Sequence, residues 1–185
     1  MAIDLPTAVS TQVEKLQLEL DKLRLPIKWE KSSKLHLTLA FLGKLDDSDI
    51  GQVRRIGREV TRSYAPFRLQ PAVLDTLYQR HEPSLVYLLI ANKDGDLDVL
   101  QKELAKSLSG VTPQPQRKFL AHVTIGRVLK SDPTHVKQSL DKLSDVEIDP
   151  LPEFDVWEIG LYESFVTQAG GSFQRVDRFI LGNKE

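Results

Sequence analysis

The chain has 185 residues, with 25 Lys and Arg against 26 Asp and Glu and a net charge of −1. That balance excludes a protein that tracks long stretches of phosphate backbone, though not one that reads a single terminal phosphate. The absence of cysteine excludes disulfide staples, thiolate nucleophiles and thiolate zinc sites. The length suits one compact unit spanning 1–185. The N-terminus lacks a signal pattern and no apolar run reaches bilayer length, so a cytoplasmic location away from membranes is expected.

In chain order, a short strand through Ala2–Leu5 is followed by a helix starting at Pro6-Thr7. Val9, Val13, Leu16, Leu20 and Leu23 recur at spacings of three and four, and Leu25-Pro26 stops them. Ile27–Glu30 begins a strand, and the Ser32–Lys34 turn leads into an alternating apolar run, Leu35-His-Leu-Thr-Leu-Ala-Phe-Leu-Gly43. Asp46, Asp47 and Ser48 then cap a second helix with Ile50, Val53, Ile56 and Val60 on its buried row. Its Arg54, Arg55, Arg58 and Arg62 read as a solvated face rather than a nucleic-acid patch. Two strands are expected at Phe67–Leu77 and Ser84–Ala91, with Tyr78–Pro83 as a loop that carries His81 on the surface.

Asn92–Asp96 is a turn cluster without calcium-loop spacing. Leu97, Leu100, Leu104 and Leu108 mark a third helix that stops at Gly110. The proline-stiffened Thr112–Gln116 connects to a second branched run, Leu120-Ala-His-Val-Thr-Ile-Gly-Arg127. Asp132-Pro133 starts a short fourth helix through Val136, Leu140 and Leu143, with His135 off its apolar face. The chain closes with an extended segment Glu153–Glu163, a connection at Gln168–Gly171 and a hairpin partner Ser172–Leu181. The order βαββαβ then βαβαββ reads as a degenerate duplication.

Both alternating runs carry His-x-Thr: His36 with Thr38, and His122 with Thr124. Side chains two apart on a strand share a face, so each run presents an imidazole beside a hydroxyl, with Leu37 and Leu39, or Val123 and Ile125, buried behind. Ala40 and Gly126 are the small residues expected on those same faces. Two such motifs among four histidines are hard to assign to chance.

These motifs resemble those of the 2H phosphoesterase superfamily. The text around them is similar to its RNA 2',3'-cyclic phosphodiesterase branch, the LigT or 2'-5' RNA ligase family. Ala2–Pro6, Ile27–Glu30, Phe41–Gly43, Arg117–Arg127 and Ile159–Ser164 all sit where that branch has similar text. The chain departs from the pattern in having Met1 directly before Ala2, Ala121 where Pro is usual, and no aromatic run around Leu74–Ser84. The resemblance implies an α+β, bilobal fold: two pseudo-symmetric lobes of mostly antiparallel sheet, helices outside, and a central cleft floored by the motif strands.

It also implies metal-independent hydrolysis of RNA or nucleotide 2',3'-cyclic phosphate ends, with no cofactor, no protein partner and a monomeric chain, and with reversible 2'-5' ligation as a possible back reaction. An imidazole of ordinary pKa near 6.5 can be protonated at one site and neutral at the other near pH 7. By resemblance, His36 is the proton donor to the leaving ribose oxygen and His122 the proton acceptor from water. Thr38 and Thr124 are placed to donate to the phosphate oxygens. Arg127 corresponds to an Arg that contacts phosphate in the branch, although strict alternation turns it away from His122 unless Gly126 marks a bulge. The alternative from another class is a module that binds a nucleotide or RNA end without turning it over, which has no need of two proton-transfer groups.

Overall fold

The computed structural model describes residues 1–80, 82–112, 118–129, 140, 143, 146, 148–167 and 170–182. Among these residues nine strands form one sheet, in the order β7-β4-β5-β6-β3-β1-β8-β9, with β2 also paired to β6. The strands are β1 (Ala2–Asp4), β2 (Ile27–Trp29), β3 (His36–Thr38), β4 (Phe67–Gln79), β5 (Glu82–Ala91), β6 (His122–Val128), β7 (Phe154–Val156), β8 (Glu158–Thr167) and β9 (Gly170–Ile180). Every pairing is antiparallel. The helices are α1 (Thr7–Asp21), α2 (Asp47–Arg62) and α3 (Asp96–Leu108). The expected α+β class and mostly antiparallel sheet are therefore found.

The expected helical rows become the core. Val9, Val13 and Leu20 of α1, Val53 and Val60 of α2, and all four leucines of α3 are buried, in one cluster with Leu37, Leu88, Val123 and Ile159 of the sheet. Helix α1 ends earlier than the apolar row suggests. Arg24 takes a left-handed φ of 53°, so Leu23 falls beyond the helix and is exposed. The Asp46 side chain caps α2 by accepting from the Asp49 N–H.

Three other expectations change. Tyr78–Pro83 is not a loop: Tyr78 pairs with Pro83 and Gln79 with Glu82, so β4 and β5 form a long hairpin whose turn begins at Arg80, with φ 51°. The extended segment after Glu153 is split at Trp157. β7 pairs with β4, and β8 pairs with β1 several strands away, so the chain crosses the sheet there. On α2, Arg55 makes the exposed pair with Glu59, but Arg54 and Arg58 turn to Asp177 of β9. Those two cations fasten the helix to the sheet. His81, His135 and the fourth helix lie outside the described residues, apart from Leu140 and Leu143, which are buried. The Thr112–Gln116 and Gln168–Gly171 connections fall partly outside them.

Candidate active site

β3 and β6 meet at one pair, Leu37 opposite Val123. These are the central residues of the two His-x-Thr motifs, so the local two-fold of the sheet runs between them. In antiparallel register His36 then opposes Thr124, and Thr38 opposes His122. Leu37 and Val123 are fully buried while the four polar residues are half-buried, which puts both imidazoles and both hydroxyls on one open face. The histidines are diagonal neighbours, a relation that sets backbones roughly 7–8 Å apart. A phosphate fits between side chains at that spacing.

The two rings are oriented alike. His36 Nδ1 lies 2.7 Å from the Lys34 carbonyl oxygen, and His122 Nδ1 lies 2.8 Å from that of Leu120. A carbonyl only accepts, so Nδ1 carries hydrogen in both rings. In the neutral imidazole, Nε2 is therefore the free lone pair, and in the imidazolium it is the second N–H. Each ring also meets an aromatic edge-to-face: His36 with Phe173 at 5.2 Å between centroids, His122 with Tyr87 at 5.4 Å. The Tyr87 hydroxyl donates to Asp75 at 2.9 Å. Burial, and then that bond, push its phenol up to about 12, so Tyr87 stays a neutral donor wherever imidazoles titrate.

A buried glutamine backs each motif strand. Gln17 of α1 donates through Nε2 to the Ile125 and Glu30 carbonyls, both at 2.8 Å, and Gln101 of α3 donates to the Leu39 carbonyl at 3.3 Å. Ile125 and Leu39 each lie three residues after their His. Neither glutamine stands out in the motif pattern of the sequence. Their signal was a polar residue four positions after Val13 and after Leu97, on the apolar row of each helix, where an unpaired amide would cost about 1–3 kcal/mol.

Arg127 reaches the open face through a bulge. Tyr87 pairs with Thr124 but Val86 pairs with Gly126, so β6 spends two residues against one of β5. Ile125 and Gly126 are consecutively buried and Arg127 is exposed. Gly126 therefore does not share the motif face as alternation suggested. A Cβ there would sit 2.6 Å from Ile27 Cγ2 and 2.9 Å from the Trp29 ring, whose indole is held by Asp21 at 2.9 Å. Gly126→Ala is expected to cost about 1–3 kcal/mol as an overpacking change, or a fall in Tm of several degrees for a chain of this size. A thermal melt unchanged to within a degree would show that the bulge has room to spare. Arg127 Nε donates to Glu30 Oε1 at 2.7 Å, leaving its terminal amino groups to the face.

The 2'-5' RNA ligase superfamily model matches residues 5–164. The chain belongs to that superfamily. Among relatives, it is 27% identical to an RNA 2',3'-cyclic phosphodiesterase of Aquifex aeolicus over 177 residues, covering 95% of this chain and 92% of that protein. It is 28% identical to one of Thermotoga maritima over 171 residues, covering 92% and 88%. In fold it is similar to TT0787 of Thermus thermophilus, with a TM-score of 0.80 at 20% identity, covering 100% of this chain and 97% of that one. E. coli LigT complexed with 3'-AMP gives a TM-score of 0.75 at 21% identity, covering 98% and 96%.

Within this superfamily member the two flanks of the site differ. Beside His36 the floor is charged. Asp4 pairs with His36 in the β1–β3 register and accepts from the Tyr162 hydroxyl; Arg175 lies 3.6 Å from Asp4 and 2.8 Å from Glu158. Burial, then the bond to Asp4, push the Tyr162 phenol upward. Beside His122, Leu89 stands opposite the histidine and Val73 opposite Leu89, next to the Tyr87–Asp75 pair, with no cation paired to that carboxylate among the described residues. Among the described residues no group of three or more His, Cys, Asp or Glu is arranged to hold a metal ion, and no helix is long and apolar enough to cross a membrane.

Proposed function

We propose that this chain hydrolyses 2',3'-cyclic phosphate ends of RNA or nucleotides to 2'-phosphates, acting as a metal-independent two-histidine enzyme. The observation that carries the proposal is the pair of imidazoles across one bridge, each with Nδ1 on a carbonyl and Nε2 open. The curated relatives named RNA 2',3'-cyclic phosphodiesterase match nearly the full chain and support it. Water attacks phosphorus as neutral His122 takes its proton at Nε2. His36 gives its Nε2 proton to O3' as the P–O3' bond breaks, leaving the phosphate on O2'. Thr38 and Thr124 donate to the non-bridging oxygens, and Arg127, oriented by Glu30, adds a positive charge to the same phosphate. With an RNA 5'-hydroxyl in place of water, the same displacement joins two ends through a 2'-5' linkage as O3' leaves and takes the proton from His36, without ATP; the reverse step cleaves that linkage and re-forms the cyclic phosphate. The chain acts as a cytoplasmic monomer.

The deciding assay offers the four nucleoside 2',3'-cyclic phosphates and a short RNA ending in one. If none is opened at roughly micromolar enzyme, a practical level for ordinary enzyme affinities, the binding-module reading replaces this one. Thr38→Val and Thr124→Val keep the shape of the floor and remove one donor each. Either is expected to lower kcat/KM roughly 10- to 100-fold, the worth of a hydrogen bond to a charged group; an unchanged rate removes that Thr from the site. Activity is expected to survive dialysis against EDTA, because both proton transfers are supplied by side chains. Loss that one divalent ion restores would overturn that expectation.

A further inference from the structure

We propose that the nucleoside of the substrate lies on the His36 side, with its base in a depression beside Asp4 and stacked on Trp157. The inference rests on the two-histidine hydrolysis argued above. In-line displacement puts the attacking water and the leaving ribose oxygen on opposite sides of phosphorus. Whichever histidine protonates the ribose oxygen therefore has the ribose, and the base attached to it, on its own flank.

On the His36 flank there is space for a base. A depression of about 330 Å³ is lined by Asp4, Leu5, Trp157, Glu158, Gly160 and Arg175, among others. Asp4 joins it to the catalytic floor, since the same residue is the register partner of His36. From β3 across β1 to β8 is two strand spacings, about 10 Å, within reach of a base whose ribose carries the phosphate at His36. Trp157 stands at the point where the chain leaves β7 for β8, with 62% of its surface exposed. An indole this exposed at the rim of a depression is a stacking platform for any base.

The polar lining narrows the class. Asp4, Asp155 and Glu158 line the depression beside Arg175, which pairs with Glu158 and Asp4, while Asp155 pairs with Arg68 and Glu158 also lies 3.6 Å from Arg178. Carboxylates only accept, so the lone pairs these three keep beyond their ion pairs favour bases with exocyclic amino groups. Adenine, guanine and cytosine have them; uracil does not.

The test compares each nucleoside 2',3'-cyclic phosphate with a base-free substrate, ribose 2',3'-cyclic phosphate, on the parent protein, Trp157→Ala and Trp157→Phe. The ratio of kcat/KM for nucleoside over base-free substrate is expected to fall about tenfold in Trp157→Ala, in line with the stacking of one base, and to be largely restored in Trp157→Phe. Among the parent's substrates uridine is expected to be the poorest, and Glu158→Gln is expected to narrow its disadvantage. A ratio unmoved by Trp157→Ala overturns the proposal, as does a ratio that falls instead in Val73→Ala, which would put the base on the His122 flank. Failure of the parent to open any of these substrates would instead sink the hydrolytic reading itself. Thermal melts of the variants separate these outcomes from misfolding.

Discussion

Truncating either imidazole to alanine is expected to lower kcat by roughly 10²- to 10⁴-fold, the range that a positioned general acid or base supplies. Each ring is half-buried on the open face and packs behind by one aromatic edge and one bond to a local carbonyl. Removing it should cost about 1 kcal/mol of stability, an ordinary hydrogen bond's worth, and move Tm by only a few degrees. The fold thus survives a change that silences the site. Groups that act on one transition state are not additive, so the double variant is expected to fall within a few-fold of the worse single. The measurement is kcat on a nucleoside 2',3'-cyclic phosphate alongside a thermal melt. A single variant that keeps more than about a tenth of the parent rate would take that histidine out of the mechanism.

The motif strands were legible because alternation with period two is strong in both, and burial behind them falls where alternation puts it: Leu37, Leu39, Val123 and Ile125 are all buried. The helices were legible for the same kind of reason, with apolar rows at three and four. What stayed hidden depends on partners distant in sequence. Nothing in the extended run through Val156 and Glu158 marks where its hydrogen-bond partner changes from β4 to β1. Arg54 reads as a surface cation until Asp177, far along the chain, is beside it. Tyr78–Pro83 has the composition of a loop, yet the ladder of a long hairpin outweighs local propensity and pairs Tyr78 with Pro83 and Gln79 with Glu82. Gly126 shows the limit within the site. A glycine can announce a bulge, which restored Arg127 to the open face, but the bulge also took Gly126 off the face that simple alternation assigned to it.

Which histidine is acid and which is base is not decided by the motif pair, because the rings share one orientation and one kind of anchor. The roles come from the asymmetric substrate, and a substrate can report them. If His36 protonates the leaving O3', replacing that oxygen with sulfur, a much weaker base, makes the proton nearly unnecessary. His36→Ala is then expected to recover most of its lost rate, on the order of 10²-fold or more, on the sulfur substrate, while His122→Ala recovers none. The pH profile of the parent gives an independent reading. The base must be neutral, so its limb is the fall toward acid; the acid must be protonated, so its limb is the fall toward alkali. With oxygen leaving, the profile is a bell with both limbs. With sulfur leaving, the alkaline limb is expected to flatten and the acidic limb to remain. Rescue of His122→Ala instead would exchange the two roles and move the nucleoside to the flank of Leu89 and Val73. A 3'-phosphate product from the oxygen substrate would mean that O2' is the leaving oxygen, so that the ribose lies turned over between the same two histidines.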